Sequence, residues 1–115
     1  MGNIDKLTKR IIAFRDARDW KQFHNPKDLA VSLSIEASEV LEHFQWKSEK
    51  EIKEYVKNNK AEIGEELADV FNYLLIMAHD LGIDLVEAEE KKIAKNNAKY
   101  PVEKAIGKHT KYNKL

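Results

Sequence analysis

Cysteine is absent from this chain of 115 residues, and proline, glycine and long apolar runs are scarce. Without cysteine there are no disulfides, thiolate metal sites or cysteine nucleophiles, and the composition fits a reducing compartment such as the cytoplasm. The apolar runs are too short to span a membrane, and the N-terminus carries no signal-peptide pattern. Because 20 basic residues balance 20 acidic ones, net charge favours neither a nucleic acid nor an acidic substrate as partner. We therefore expect a soluble, cytoplasmic protein.

Strand signals are nearly absent, and apolar residues recur with the 3.6-residue period of helices, which indicates an all-α fold. We predict five helices, over residues 4–18, 26–46, 49–57, 61–81 and 85–99. The remaining residues, 102–115, are polar and lysine-rich and are predicted to form an extended tail. At this length one domain, 1–115, is the default. A bundle of helices this small leaves apolar flank uncovered, so we also expect self-association.

Several helix boundaries carry specific capping signals. Asn25, directly before a proline, predicts the start of the second helix. Ser48 followed three residues later by Glu51 matches a capping box for the third. Gly82 predicts the end of the fourth helix, and Asp84 caps the fifth.

Two acidic pairs stand at the edges of apolar helix faces. Glu36 and Glu39 lie three residues apart on the second helix, and Glu66 and Asp69 repeat that spacing on the fourth, so each pair shares one helix face. Carboxylates beside a core are costly unless they are neutralised. A hard divalent cation would neutralise them, and Mg²⁺ is the usual ion where the substrate carries phosphate. The alternative is a solvated rim, because most acidic residues on helix flanks simply face water.

Aromatic residues form a second set of candidates. Trp20, Phe23 and His24 lie in the turn between the first two helices, Trp46 lies at the predicted end of the second, and Tyr73 follows one turn after the second acidic pair. Their rings would stack on a nucleobase. The alternative is that they close the end of the core.

A polar stripe follows the fifth helix. Lys92, Asn96 and Tyr100 recur four residues apart and would contact phosphate or sugar oxygens. Lysine-rich helices more often only face water, so the stripe by itself is a weak signal.

These residues together resemble the MazG-like nucleotide pyrophosphohydrolases, and within them the dCTP pyrophosphatase branch. The matching blocks are RDWKQFH at residues 18–24, FQWKS at 44–48 and EELADV at 65–70, continuing at 92–101 and 111–112. The resemblance thus covers nearly the whole chain. It implies an all-α enzyme that cuts nucleoside triphosphates between the α and β phosphates and works as a homodimer or homotetramer, each site completed by a neighbouring subunit.

The resemblance also implies a role for each matching residue. Mg²⁺ would be held by Glu36, Glu39, Glu66 and Asp69. Of these, Glu36 or Glu39 would also act as the catalytic base that takes a proton from the attacking water. The base and sugar would be lined by Trp20, Trp46 and Tyr73, and the phosphates or sugar would be contacted by Lys92, Asn96 and Tyr100.

One departure bears on the preferred substrate. In dCTP-preferring relatives a histidine on the first helix faces the base, and the aligned position here is Ile11, which forms no hydrogen bond to cytosine. Two other interpretations also stay open. The first is a non-catalytic, helical self-association module with the acidic residues as a rim. The second is an enzyme acting on phosphoribosyl-ATP, since that family shares the acidic motif.

Overall fold

A computed structural model describes residues 2–114 of the chain. Its elements are α1 (Asn3–Ala17), a 3₁₀ turn (Lys21–Phe23), α2 (Pro26–Glu42), α3 (Glu49–Asn58), α4 (Lys60–Asp80), α5 (Leu85–Lys99), α6 (Val102–Ala105) and a second 3₁₀ turn (Tyr112–Lys114). No strand occurs among these residues, so the predicted all-α class is confirmed. Over the same residues, no helix combines the length and the apolar character needed to cross a membrane.

The chain divides into two compact units, the first ending at Gly82 and the second beginning at Ile83. In the first unit α4 is the central element, since it packs against α1, α2 and α3. Its core contains Leu29 of α2 with Leu75 and Ile76 of α4. The second unit contains α5, α6 and the second 3₁₀ turn.

The predicted caps are present. The side chain of Asn25 accepts a hydrogen bond from the amide of Asp28 at 2.8 Å, and the proline that follows begins α2. Ser48 and Glu51 form both hydrogen bonds of a capping box, each at 3.2 Å. Each cap satisfies amides that the first helical turn leaves without a partner, which is why these boundaries are readable from a few residues.

The second helix ends earlier than predicted, at Glu42 instead of Trp46. After Glu42 the chain tightens into turns in which the amide of Phe44 donates to the carbonyl of Leu41 at 2.9 Å. Trp46 then adopts a left-handed conformation with φ of 70°, which an α-helix does not continue through. No glycine or proline marks this end, and the apolar periodicity continues past it. The sequence therefore predicts a longer helix than the one that forms.

The C-terminal prediction was also wrong in part. Residues Val102–Ala105 form the short helix α6, where an extended tail was predicted. The carbonyl of Pro101 accepts hydrogen bonds from the amides of Lys104 and Ala105, both at 3.0 Å. Pro101 is thus the N-cap residue of this single turn, with φ of -59° and ψ of 141°.

Candidate active site

The four acidic residues of the two helical pairs meet in the first unit. Glu36 and Glu39 on α2 and Glu66 and Asp69 on α4 each offer one carboxylate oxygen, and these oxygens lie within 4.8 Å of one another. The i, i+3 spacing puts each pair on one face of its helix, and the packing of α2 on α4 brings the two faces together. Two carboxylate pairs from separate helices thus form one cluster, called here the acidic quartet.

Two oxygens of the quartet are buried and have no hydrogen-bond partner within the protein. They are Oε2 of Glu36 and Oε2 of Glu66, one from each helix. A buried carboxylate oxygen without a partner loses its hydration without compensation. The cluster therefore contains acceptor atoms that the protein itself leaves unsatisfied.

The electrostatics of the quartet reflect this crowding. Burial, together with the adjacent carboxylates, raises the pKa of Glu36 to about 6. The neighbouring Glu39 carboxyl, followed by burial, raises the pKa of Glu66, and His43 acts in the opposite direction. In both cases burial and repulsion between nearby carboxylates disfavour the ionised form.

These residues fit a hard divalent cation. Carboxylate oxygens are the ligands that such ions prefer, and the two unsatisfied oxygens are free to coordinate. A bound cation would also reverse the repulsion that raises the pKa values of Glu36 and Glu66. The acidic quartet is thus a candidate metal centre.

A histidine–tyrosine pair adjoins the quartet, and it was not among the predicted site residues. Nδ1 of His43 and the hydroxyl of Tyr55 form a short hydrogen bond, which connects the end of α2 to α3. The ammonium group of Lys47 also lies over the ring of Tyr55, 4.2 Å from the ring centroid. Only packing of α3 beside the end of α2 creates this pair, so no local sequence signal predicts it.

The three aromatic residues proposed to line the base and sugar lie in different settings. Trp20 stands edge-on to Phe14, with ring centroids 5.7 Å apart, at the end of α1. Tyr73 stands edge-on to His24 at 6.5 Å. Trp46 is 91% exposed. The ring of Trp46 therefore has almost no contact within the subunit and is available to a ligand or to another protein chain.

The polar stripe of the fifth helix belongs to the second unit. Lys92 and Asn96 lie one turn apart on α5, and Tyr100 is the C-cap residue, whose amide donates to the carbonyl of Asn96 at 2.9 Å. The ring of Tyr100 packs edge-on to that of Tyr112, with centroids 6.1 Å apart. Tyr100 thus caps α5, and its ring packs against the second 3₁₀ turn.

An ion pair formed by a buried arginine in the first unit was missed at the sequence level. Arg15 of α1 donates to Oδ2 of Asp80 at 2.7 Å, at the end of α4. A signal for it was present, because Arg15 follows Ile11 and Asp80 follows Ile76 at a spacing of four, and each charge therefore stands on an apolar face. A charged residue at such a position needs a partner when it is buried.

The sequence profile of the MazG-like family matches residues 31–115. Among curated proteins, dCTP pyrophosphatase 1 of Mus musculus is 38% identical over 114 residues, which cover 97% of this chain and 67% of that protein. The Homo sapiens protein of the same name is 36% identical over 114 residues, with the same coverage. A solved structure of a pyrophosphatase from Archaeoglobus fulgidus is 43% identical in sequence, with a TM-score of 0.83. The match covers 88% of this chain and 94% of the chain in that structure.

These matches define a class, the helical nucleotide pyrophosphohydrolases. The chain belongs to the MazG-like family.

Proposed function

We propose that this protein is a Mg²⁺-dependent nucleoside triphosphate pyrophosphohydrolase that releases a nucleoside monophosphate and pyrophosphate. Nucleotide pyrophosphatase activity is what the relatives of known activity support directly. The observation that carries the proposal is the acidic quartet, whose oxygens meet within 4.8 Å and include two buried atoms without partners. A solvated rim would not leave buried carboxylate oxygens unsatisfied.

The substrate preference that we propose is for a pyrimidine deoxynucleotide like dCTP, because two curated relatives are dCTP pyrophosphatases. Ile11 lines a cleft of about 280 Å³ with Phe14, Phe71 and Leu75, and Arg10 and Asn72 also line it. An isoleucine there offers shape and apolar contact but no hydrogen bond to a base. We therefore expect weaker discrimination among bases than a histidine at this position would provide.

In the proposed mechanism Glu36, Glu39, Glu66 and Asp69 would hold the metal. Bound Mg²⁺ would offset the charge of the phosphate oxygens. Glu36 or Glu39 accepts a proton from a water whose oxygen bonds to a phosphorus of the α–β link. The bridging P–O bond breaks, the nucleoside monophosphate and pyrophosphate separate, and Lys92 would partly balance the charge of the pyrophosphate.

The remaining residues would position the nucleotide. Trp20, Trp46 and Tyr73 would stack on the base and sugar, since aromatic faces accept any base. Asn96 and Tyr100 would donate hydrogen bonds to sugar or phosphate oxygens. In the cell, such an enzyme would remove excess or modified deoxynucleotides, and we propose the cytoplasm as its location because these substrates are made and used there.

Self-association is part of this proposal. Several large apolar side chains of α2 and α4 are exposed, including Leu41 at 58% and Leu67 at 54%. Exposed apolar residues on neighbouring helices are typical of subunit interfaces. A homodimer or homotetramer would cover them.

The decisive experiment is a turnover assay with Mg²⁺ and a panel of natural, methylated and oxidised nucleoside triphosphates, with phosphoribosyl-ATP included. We expect monophosphate and pyrophosphate as products and no turnover in EDTA. Glu36→Ala and Asp69→Ala should each lose at least roughly a hundredfold in kcat/KM while keeping the helical circular dichroism signal. Glu42→Ala and Glu62→Ala are matched controls, because these exposed acidic residues stand on the same two helices.

No turnover of any nucleotide by folded protein would overturn the proposal. Turnover of phosphoribosyl-ATP alone would assign a different substrate to the same site. Full activity of the Glu36 or Asp69 variant would remove that residue from the mechanism.

A further inference from the structure

Arg15 is the one buried charged residue among the described residues, with 1% of its surface exposed. Its guanidinium donates to Asp80 at 2.7 Å and to Asp16 at 3.3 Å. A third contact, at 3.5 Å, joins Nη1 of Arg15 to Nδ1 of His24. Buried charges of this kind are retained only when partners surround them, so the end of α1 and the end of α4 are held in one arrangement.

The main chain of Arg15 holds a second feature. Its carbonyl accepts hydrogen bonds from the amides of Arg18 and Trp20, both at 3.1 Å. Between them Asp19 adopts a left-handed conformation with φ of 55°. A non-glycine residue in that region costs energy that the surrounding contacts must offset. Arg15 therefore closes the strained turn that presents Trp20.

The third contact of Arg15 leads to Tyr73. Arginine is only a donor, so Nδ1 of His24 accepts and the proton of the neutral ring is on Nε2. Burial, followed by the charge of Arg15, lowers the pKa of His24, so this neutral form prevails at neutral pH. The ring of His24 stands edge-on to that of Tyr73. The cluster thus reaches two of the three aromatic residues proposed to line the base and sugar.

We propose that Arg15, through its ion pair with Asp80, is a positioning residue that presets Trp20 and Tyr73 for the nucleotide base. The inference rests on the proposed function for what the two rings bind. An ion pair on a buried arginine adds little net stability compared with apolar residues, but it fixes one geometry. Aromatic side chains that are already in the binding conformation lose less conformational entropy when the ligand binds.

The test uses full-length protein in which both partners are replaced, Arg15→Met with Asp80→Asn, so that no unpaired charge is left buried. The matched control is Lys91→Met with Glu87→Gln, which removes an exposed ion pair of the same 2.7 Å length on α5. Trp20 is made the sole tryptophan by Trp46→Phe, since the chain has 2 tryptophans. Acrylamide quenching then reports the setting of Trp20 without any substrate.

In the Arg15/Asp80 variant we expect Trp20 to become more accessible to acrylamide and its emission to shift to longer wavelength. Without the Trp46 replacement, KM for the best triphosphate should rise roughly tenfold with kcat within about threefold, because the misplaced groups bind rather than react. The Mg²⁺-induced rise in melting temperature should equal that of the wild type, since the acidic quartet is untouched. The α5 control should match the wild type in all three measurements.

A lower melting temperature with unchanged KM and unchanged quenching would show a merely structural pair and overturn the proposal. If the double variant fails to fold, Arg15→Lys decides. It keeps a cation beside Asp80 but not the planar fork that also reaches Asp16 and His24, so the same changes are expected at smaller size. If the wild type turns over no nucleotide while quenching changes as expected, the proposed function fails and the positioning role stands.

Discussion

At the scale of single residues, the acidic quartet stores repulsion that a cation would relieve. Glu36 has one buried oxygen without a partner and a pKa raised to about 6. Its ordinary value is 4.5, so between these pH values the folded chain binds more protons than the unfolded chain. The contribution to stability is present below pH 4.5 and is lost as pH rises through 6.

The lowered pKa of His24 favours folding at higher pH, so the prediction concerns the contribution of Glu36, which should stabilise the metal-free protein more at pH 5 than at pH 7.5. We expect a difference of about 1 kcal/mol after solvent screening is allowed for, or a few degrees in melting temperature. Burial works against ionisation of Asp80, but the hydrogen bond from Arg15 prevails and lowers the pKa of that carboxyl. Asp80 consequently stays ionised throughout this window and does not contribute to the difference.

The measurement is a thermal melt in EDTA at both pH values, with Glu36→Gln and the exposed Glu42→Gln compared. The first variant should lose the part of the pH dependence that Glu36 contributes, and the second should keep the wild-type dependence. Added Mg²⁺ should raise the melting temperature more at pH 7.5 than at pH 5, because protons compete for the ligands. The same pH dependence in the metal-free wild type and in the Glu36→Gln variant would contradict the crowding described for the quartet.

At the scale of elements, two glycines of the α4 region have opposite roles. Gly64 lies inside α4, and a Cβ atom there would meet no atom within 4 Å. Gly82 follows the end of α4 with φ of 67°, a left-handed conformation that favours glycine. A methyl group would fit at both positions, so the two glycines differ only in backbone conformation.

Gly64→Ala should raise the free energy of unfolding by roughly 0.5–1 kcal/mol, because alanine loses less conformational entropy in a helix. Gly82→Ala should lower it by about 1 kcal/mol, because alanine is strained at positive φ. Urea unfolding followed by circular dichroism measures both, and each variant is the other's control. The same sign for both changes would show that neighbouring contacts outweigh backbone conformation at these sites.

At the scale of the whole molecule, the proposed enzyme depends on more than one copy of the chain. The apolar core of the described residues contains Leu29, Leu75 and Ile76, while Val31 and Ile35 on α2 are 48% and 54% exposed. With Ala30 and Ser34 they line an open groove on that helix. Small residues beside apolar ones let a second helix approach closely.

Light scattering after gel filtration should therefore give a mass that is a multiple of 13.4 kDa. Val31→Lys should shift the protein toward smaller species, because a charge in a helix interface is costly. Lys53→Ala, an exposed change on α3, is expected to leave the mass unchanged. A wild-type monomer at micromolar concentration would contradict the proposed assembly.

The helices and most of their caps were determined by the sequence itself. Asn25, Ser48 with Glu51, and Asp84 act within one turn, so the hydrogen bonds that they form are written in adjacent residues. The acidic pairs were readable for the same reason, because i, i+3 neighbours share a face wherever the helix goes. The early end of α2 was not readable, since no breaker residue marks it.

Tertiary structure alone decided which faces meet. The approach of the two acidic pairs to within 4.8 Å depends on how α2 packs against α4. The sequence of either helix alone does not determine that distance. The ion pair between Arg15 and Asp80 likewise joins residues 65 positions apart. Local hydrogen bonding fixes each helix within a few residues, whereas contacts between helices depend on the packing of the whole unit.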